Sequence, residues 1–158
     1  MEKRMISLRK MRWLLRLMGW LKIPMLAYVK PRLITISNDE TIVEVRLRRR
    51  TKNHLNSMYF GALAVGADVA AGLPVFYFAE QESLKFSFSF SSMKAEFHKR
   101  TESTVRFVCK DMRVIKDIIR SSSETKERKS GEVEVKAFNT LGEHVATFQM
   151  GLSVKVQG

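Results

Sequence analysis

The stretch NHLNSMYFGALAVGADVAAGLPVFYFA, residues Asn53 to Ala79, decides how this chain folds. Asp68 is its one formally charged residue. From Gly61 to Gly72 its neighbours are small or aliphatic on every side, and a helix that is apolar all round is normally buried inside a domain. A carboxylate there costs free energy unless hydrogen bonds or a function compensate. The spacing predicts a helix that starts near Asn56 or Ser57, both good caps, and stops at Gly72, with Pro74 unable to continue it. Gly61 and Gly66 are poor helix formers, which points to close approach of another backbone or a ligand. Gly61, Ala64, Val65 and Asp68 share a helical face, so a group bound there would meet both the first backbone N–H donors and the carboxylate.

Upstream, residues 3 to 23 carry apolar side chains at helical spacing, interspersed with Arg4, Arg9, Arg12, Arg16 and Lys22. Charge interrupts the run too often for it to span a bilayer. Packing on the domain, lying on a membrane surface and organelle targeting all fit such a helix, and packing is the commonest use. Pro24 and Pro31 bracket its exit. Two short strands follow between Leu33 and Arg49, separated by the turn Ser37-Asn38-Asp39-Glu40, and then the cluster Arg46, Arg48, Arg49, Arg50 and Lys52.

Downstream the period changes to two. Leu84, Phe86, Phe88 and Phe90 alternate with polar residues, and the parity shifts to Met93, Ala95 and Phe97, which predicts a bulge near Ser91 to Ser92. Core packing is the better reading of the Phe ladder than base stacking. Thr104 to Cys109 reads as a strand and Met112 to Arg120 as a short helical turn. Residues 121 to 131 read as a solvated loop, and Val133 onward as a hairpin turning at Asn139 to Gly142 into a long last strand.

The 158 residues suit one domain. Twenty-eight Lys and Arg against sixteen Asp and Glu give a charge of +12, which favours anionic partners without choosing among them. The single cysteine, Cys109, reads as core in a reducing, cytoplasmic setting. His54, His98 and His144 fall in separate elements with no metal-ligand spacing, and no cofactor motif occurs.

Strands that succeed one another through short turns form an antiparallel sheet, and its apolar face must be covered. The 58–72 helix is the element apolar enough to cover it. The expected fold is therefore α+β, a curved antiparallel sheet wrapped around one central helix (residues 33–156), with an extra N-terminal helix (residues 1–24). The Phe-Ser strand would present an edge that a second subunit can protect.

With Asn53, Gly61 and Asp68 at their spacings, this order of elements resembles the hotdog-fold acyl-CoA thioesterase superfamily, over about Leu33 to Val156. It is nearest a thioesterase-like branch related to the phenylacetyl-CoA thioesterase type, in which an Asn precedes a His-Gly-Gly and an Asp lies two turns into the helix. Asn53, Gly61 and Asp68 match the Asn, second Gly and Asp, whereas Tyr59 and Phe60 stand where the family has His and the first Gly. The resemblance implies hydrolysis of acyl-CoA or acyl-carrier thioesters by a homo-oligomer, a dimer or a tetramer. Coenzyme A would enter only as part of the substrate. Asp68 would be base or nucleophile, the backbone N–H groups of Phe60 and Gly61 oxyanion donors, and Asn53 or His54 would orient the carboxylate or a water, across a subunit interface as this superfamily tends to do. His54, Ser57, Met58, Tyr59 and Val65 would line the substrate site. Two other readings stay open: an acyl-thioester or lipid binder without turnover, and a basic module that meets nucleic acid or an anionic membrane through Arg9 to Lys22 and Arg46 to Lys52. No nucleic-acid-binding motif favours a specific nucleic-acid partner.

Overall fold

The computed structural model describes residues 5–158; Arg4 of the predicted basic helix lies outside them. Helix α1 (Leu8–Leu21) begins where the Ser7 hydroxyl accepts from the Lys10 N–H at 3.2 Å, and it buries Met11, Leu15 and Gly19. A separate short helix, α2 (Pro24–Val29), opens on Pro24, whose missing N–H costs nothing at a first helical position. Lys30, in the left-handed region at φ 56°, closes it.

The strands are β1 (Arg32–Ile36), β2 (Thr41–Val45), β3 (Phe86–Phe97), β4 (Val105–Cys109), β5 (Lys129–Phe138) and β6 (His144–Val156). They form one antiparallel sheet in the order β1-β2-β4-β5-β6-β3. Ser37 makes the β1–β2 turn by accepting from the N–H groups of Asp39 and Glu40. β3 pairs with β6 along its whole length and shifts register between Phe90 and Ser92, the predicted bulge.

Helix α3 (Phe60–Gln81) lies against the inner face of the sheet. It is long and apolar enough to cross a membrane, but its residues are mostly buried in the protein core. The sequence expectation erred at both ends. Tyr59, not Asn56 or Ser57, occupies the cap position, and Asn56 instead takes φ 58° inside the preceding loop. At the far end the helix runs past Gly72 and through Pro74 to Gln81. An internal proline costs about 3 kcal/mol. Leu73, Val75, Tyr77, Phe78 and Ala79 beyond Gly72 are all buried, and the larger of them contribute about 1.5–3 kcal/mol each, so burial outweighs the proline.

Two further expectations need correction. The predicted turn at Met112 to Arg120 is the first part of α4 (Met112–Thr125), and β5 begins at Lys129, so most of the supposed loop 121–131 is ordered secondary structure. Ile115, Ile118 and Ile119 bury one face of α4, and the Asp111 carboxylate accepts from the Glu134 N–H at 2.7 Å. Nor do the last four strands follow as simple hairpins. The chain crosses from β2 to the opposite edge at β3, returns to β4 beside β2, and reaches β5 through α4.

Gly66 faces the fully buried ring of Phe107 on β4, and a Cβ there would sit 2.3 Å from a ring carbon. The close approach predicted from the sequence is thus sheet against helix. Gly66→Ala is expected to destabilise the fold by about 1–3 kcal/mol through overpacking, read as a lower urea midpoint with unchanged slope.

Candidate functional site

Asp68 lies partly buried on the side of α3 that faces α1 and β3. A cleft of about 590 Å³ opens there, within the range of small-molecule sites. Leu14, Met18 and Leu21 of α1, Leu73 and Phe76 of α3, and Phe88 of β3 make it apolar, and Asp68 is the one acid among its walls. No side chain or backbone group among the described residues hydrogen-bonds or ion-pairs with that carboxylate. Burial alone pushes its pKa up from 3.8 to about 6. No hydrogen bond among the described residues therefore compensates its burial.

The other predicted residues gather two helical turns away. The Asn53 side-chain oxygen accepts from the N–H groups of Leu55 and Ser57 and from the Ser57 hydroxyl, at 2.9, 3.2 and 3.1 Å, and so closes the loop before α3. Ser57 and Met58, expected to meet substrate, are buried. Ser57 serves Asn53, while the Met58 N–H donates to the Thr101 carbonyl at 2.7 Å. His54 is exposed and without a described partner. Asn53 and Phe60 border a separate cleft of about 320 Å³, together with His98 and Arg100. Val65 is half-buried and packs on the core.

At the start of α3 the Phe60 and Gly61 N–H groups make no described hydrogen bond, because no helical turn precedes them; the Tyr59 carbonyl opens the helix by accepting from Ala62 and Leu63. They are the free donors of a helix N-terminus. The Tyr59 ring lies over Gly61, 2.4 Å from where a Cβ would be, and against the Phe60 ring at 4.7 Å between centroids. Gly61 and Asp68 do share a face, but seven residues of helix separate them by about 10 Å. One carbonyl cannot touch both within a single chain, which corrects the expectation that a group on that face meets both.

His98 and His144, in separate elements, come together with tilted rings 4.7 Å apart, and both bond the Thr147 hydroxyl. No group of three or more metal-ligating side chains occurs among the described residues. Cys109 is buried, and burial pushes its thiol up to about 12. The walls that α1 and β3 contribute to the Asp68 cleft were not legible in the sequence, since nothing in the α1 pattern says which element it covers.

A family described as a domain of unknown function (DUF4442) matches residues 11–154. The chain belongs to the DUF4442 family. Among solved structures, this DUF4442 chain is similar to a candidate thioesterase from Shewanella oneidensis, with TM-score 0.81 and 16% identity over 95% of this chain and 100% of that one. It is also similar to a Haemophilus influenzae thioesterase, with TM-score 0.68 and 9% identity over 98% and 94% of the two chains. For the PaaI protein of the Escherichia coli phenylacetic acid degradation operon the values are 0.62 and 15%, over 96% and 98%. No curated protein matches the sequence. At such identities the likenesses establish the fold: this is a hotdog protein.

The raised pKa of Asp68 has a stability consequence. Below pH 3.8 the carboxyl is protonated folded or unfolded and carries no penalty, and as pH rises through about 6 the folded state must hold a buried charge. Asp68→Asn is therefore expected to stabilise the protein at neutral pH, by up to about 3 kcal/mol, and to have little effect near about pH 4. Urea denaturation at the two pH values measures the difference.

Proposed function

We propose that this protein hydrolyses acyl thioesters, of coenzyme A or of an acyl-carrier protein. The observation that carries the reading is an unpaired carboxylate of raised pKa in an apolar cleft large enough for an acyl chain. Water attacks the thioester carbonyl carbon while Asp68 takes its proton. The tetrahedral intermediate collapses, the C–S bond breaks, and the thiolate leaves with the proton that Asp68 returns. A carboxylate of pKa about 6 is a stronger base than an exposed aspartate and is still ionised at neutral pH. The free N–H groups of Phe60 and Gly61 suit the developing oxyanion. The Asn53 amide N–H₂, left over after its oxygen closes the loop, suits the attacking water, and exposed His54 and Tyr59 are free to meet substrate.

The separation of about 10 Å between donors and base calls for a second copy of the chain. β3 leaves twelve residues of unpaired strand edge, with Met93 and Phe97 exposed along it, a form that native proteins cover. Two such edges paired antiparallel continue the sheet through both subunits and lay the α3 helices side by side in opposite directions. The helix start of one subunit then comes beside Asp68 of the other. The cationic surface suits the phosphates of coenzyme A or the acidic face of a carrier protein.

A second reading follows from Tyr59, whose ring covers Gly61: the same site binds acyl thioesters without turning them over.

Hydrolysis of a panel of acyl-CoAs, followed by release of free thiol, tests the first reading. Expected is kcat/KM that rises about tenfold per pH unit below about 6 and then levels, with turnover lost in Asp68→Asn. Thermal stabilisation by an acyl-CoA without thiol release supports the second reading, and neither response with any chain length defeats both.

The shared site has its own test. Tyr59 lies at φ −62°, ψ 136°, a conformation suited to the residue before proline, so Phe60→Pro removes one donor while keeping the helix start. Each variant alone is expected to be inactive or slowed by about 100-fold or more. Co-expressed, Phe60→Pro and Asp68→Asn chains form mixed dimers with one intact site each, which restores about a quarter of wild-type activity. No recovery in mixed dimers defeats the shared site while leaving hydrolysis untouched.

A further inference from the structure

Helix α1 has two faces, and the core accounts for only one. Met11, Leu15 and Gly19 are buried beneath it. On the opposite side Arg9, Trp13, Arg16 and Trp20 recur at i, i+4, i+7 and i+11, which places all four within about 60° around the helix axis. Trp13 is 61% exposed and Trp20 81% exposed. The surface continues over Leu21, Met25 and Tyr28, each more than half exposed. Indole and phenol rings in this setting prefer a boundary between apolar and aqueous phases to bulk water.

We infer that the α1–α2 face docks on an anionic phospholipid surface. Charge complementarity selects that occupant: each tryptophan of the stripe is neighboured by an arginine, and Lys22 and Lys30 flank the α2 end. Beside the stripe lies a cleft of about 510 Å³ in which Arg16, Lys30, Arg48 and Arg50 converge around Trp20. None of these four cations has a carboxylate partner among the described residues, whereas Arg32 and Arg46 in the same walls share Glu44 at 3.5 and 3.7 Å. A lipid phosphate entering that cleft meets unpaired cations while the indoles seat in the acyl boundary. Leu21 and Ile23 are exposed at this face and also line the Asp68 cleft, so the apolar site opens where the lipid would lie. Docking does not depend on hydrolysis, because Arg9, Trp13, Arg16 and Trp20 stand apart from the Asp68 cleft and from the start of α3.

Trp13 and Trp20 are the only tryptophans in the chain, so intrinsic fluorescence reports on this face alone. The test adds vesicles of phosphatidylcholine, or of phosphatidylcholine with phosphatidylglycerol, to the full-length protein and records emission and co-sedimentation. Expected are a blue shift and pelleting with the anionic vesicles only, weakened by salt. Arg9→Ser and Arg16→Ser each lower partitioning by about fivefold. Trp13→Ser with Trp20→Ser loses pelleting, with the circular dichroism spectrum unchanged in every variant. Absence of any shift or pelleting with anionic vesicles overturns the proposal. So does a face already occupied by a second copy, seen as blue-shifted emission without vesicles and conversion to monomer in the double tryptophan variant. A single-stranded oligonucleotide that shifts the emission while anionic vesicles do not assigns the face to nucleic acid and equally overturns it.

Discussion

Burial of α3 against the inner face of the sheet is the constraint from which the remaining features follow. The helix is apolar on all sides, so no orientation leaves a polar stripe for solvent, and every flank must be covered by another element. The strands cover one side, α4 and α2 parts of the rest, and α1 leaves a cleft where it passes over the β3 side. Gly66 allows the contact to close to the distance of the Phe107 ring, and Pro74 is held helical because the residues after it are buried. Local preference loses to packing at both positions.

The same burial gives Asp68 its chemistry. A carboxylate on an exposed helix would titrate as an ordinary aspartate. On this one it lies between apolar walls with no donor among the described residues to stabilise its charge, so its proton affinity rises. The helix that desolvates the acid also ends in unpaired N–H groups, and its length keeps the two apart. Distance along a rigid helix is therefore a statement about assembly: chemistry that needs both ends draws on two helices, and the open edge of β3 supplies a geometry for bringing them together.

Charge is distributed by a different logic. Glu44 takes up Arg32, Arg46 and Arg106 on the outer face of the sheet, an arrangement of solvated ion pairs with little energetic weight. The cations around Trp20 have no such partner among the described residues. Net charge by itself says only that anions are favoured; the placement of unpaired cations beside exposed indoles distinguishes one surface of the molecule from the others.

The fold was legible because two periodicities carry it: an unbroken apolar run for the buried helix and alternation for β3, β5 and β6, even to the bulge after Phe90. Asp68 was legible as an anomaly within that run, and Asn53 and Gly61 through their spacing from it. Helix limits were not, since Gly72, Pro74, Asn56 and Ser57 carry strong local signals that burial overrode. Strand order was not, because alternation tells which face a residue takes and not which strand lies beside it. Residues 121–125 and 129–131 looked like loop because the end of α4 and the start of β5 are held by contacts with elements distant in the chain. What the sequence determined by itself is that an acid would be carried into a core. Only the tertiary structure decided what surrounds that acid, how far it lies from the helix donors, and that both tryptophans of α1 face outward, because each depends on where elements distant in the chain come to rest.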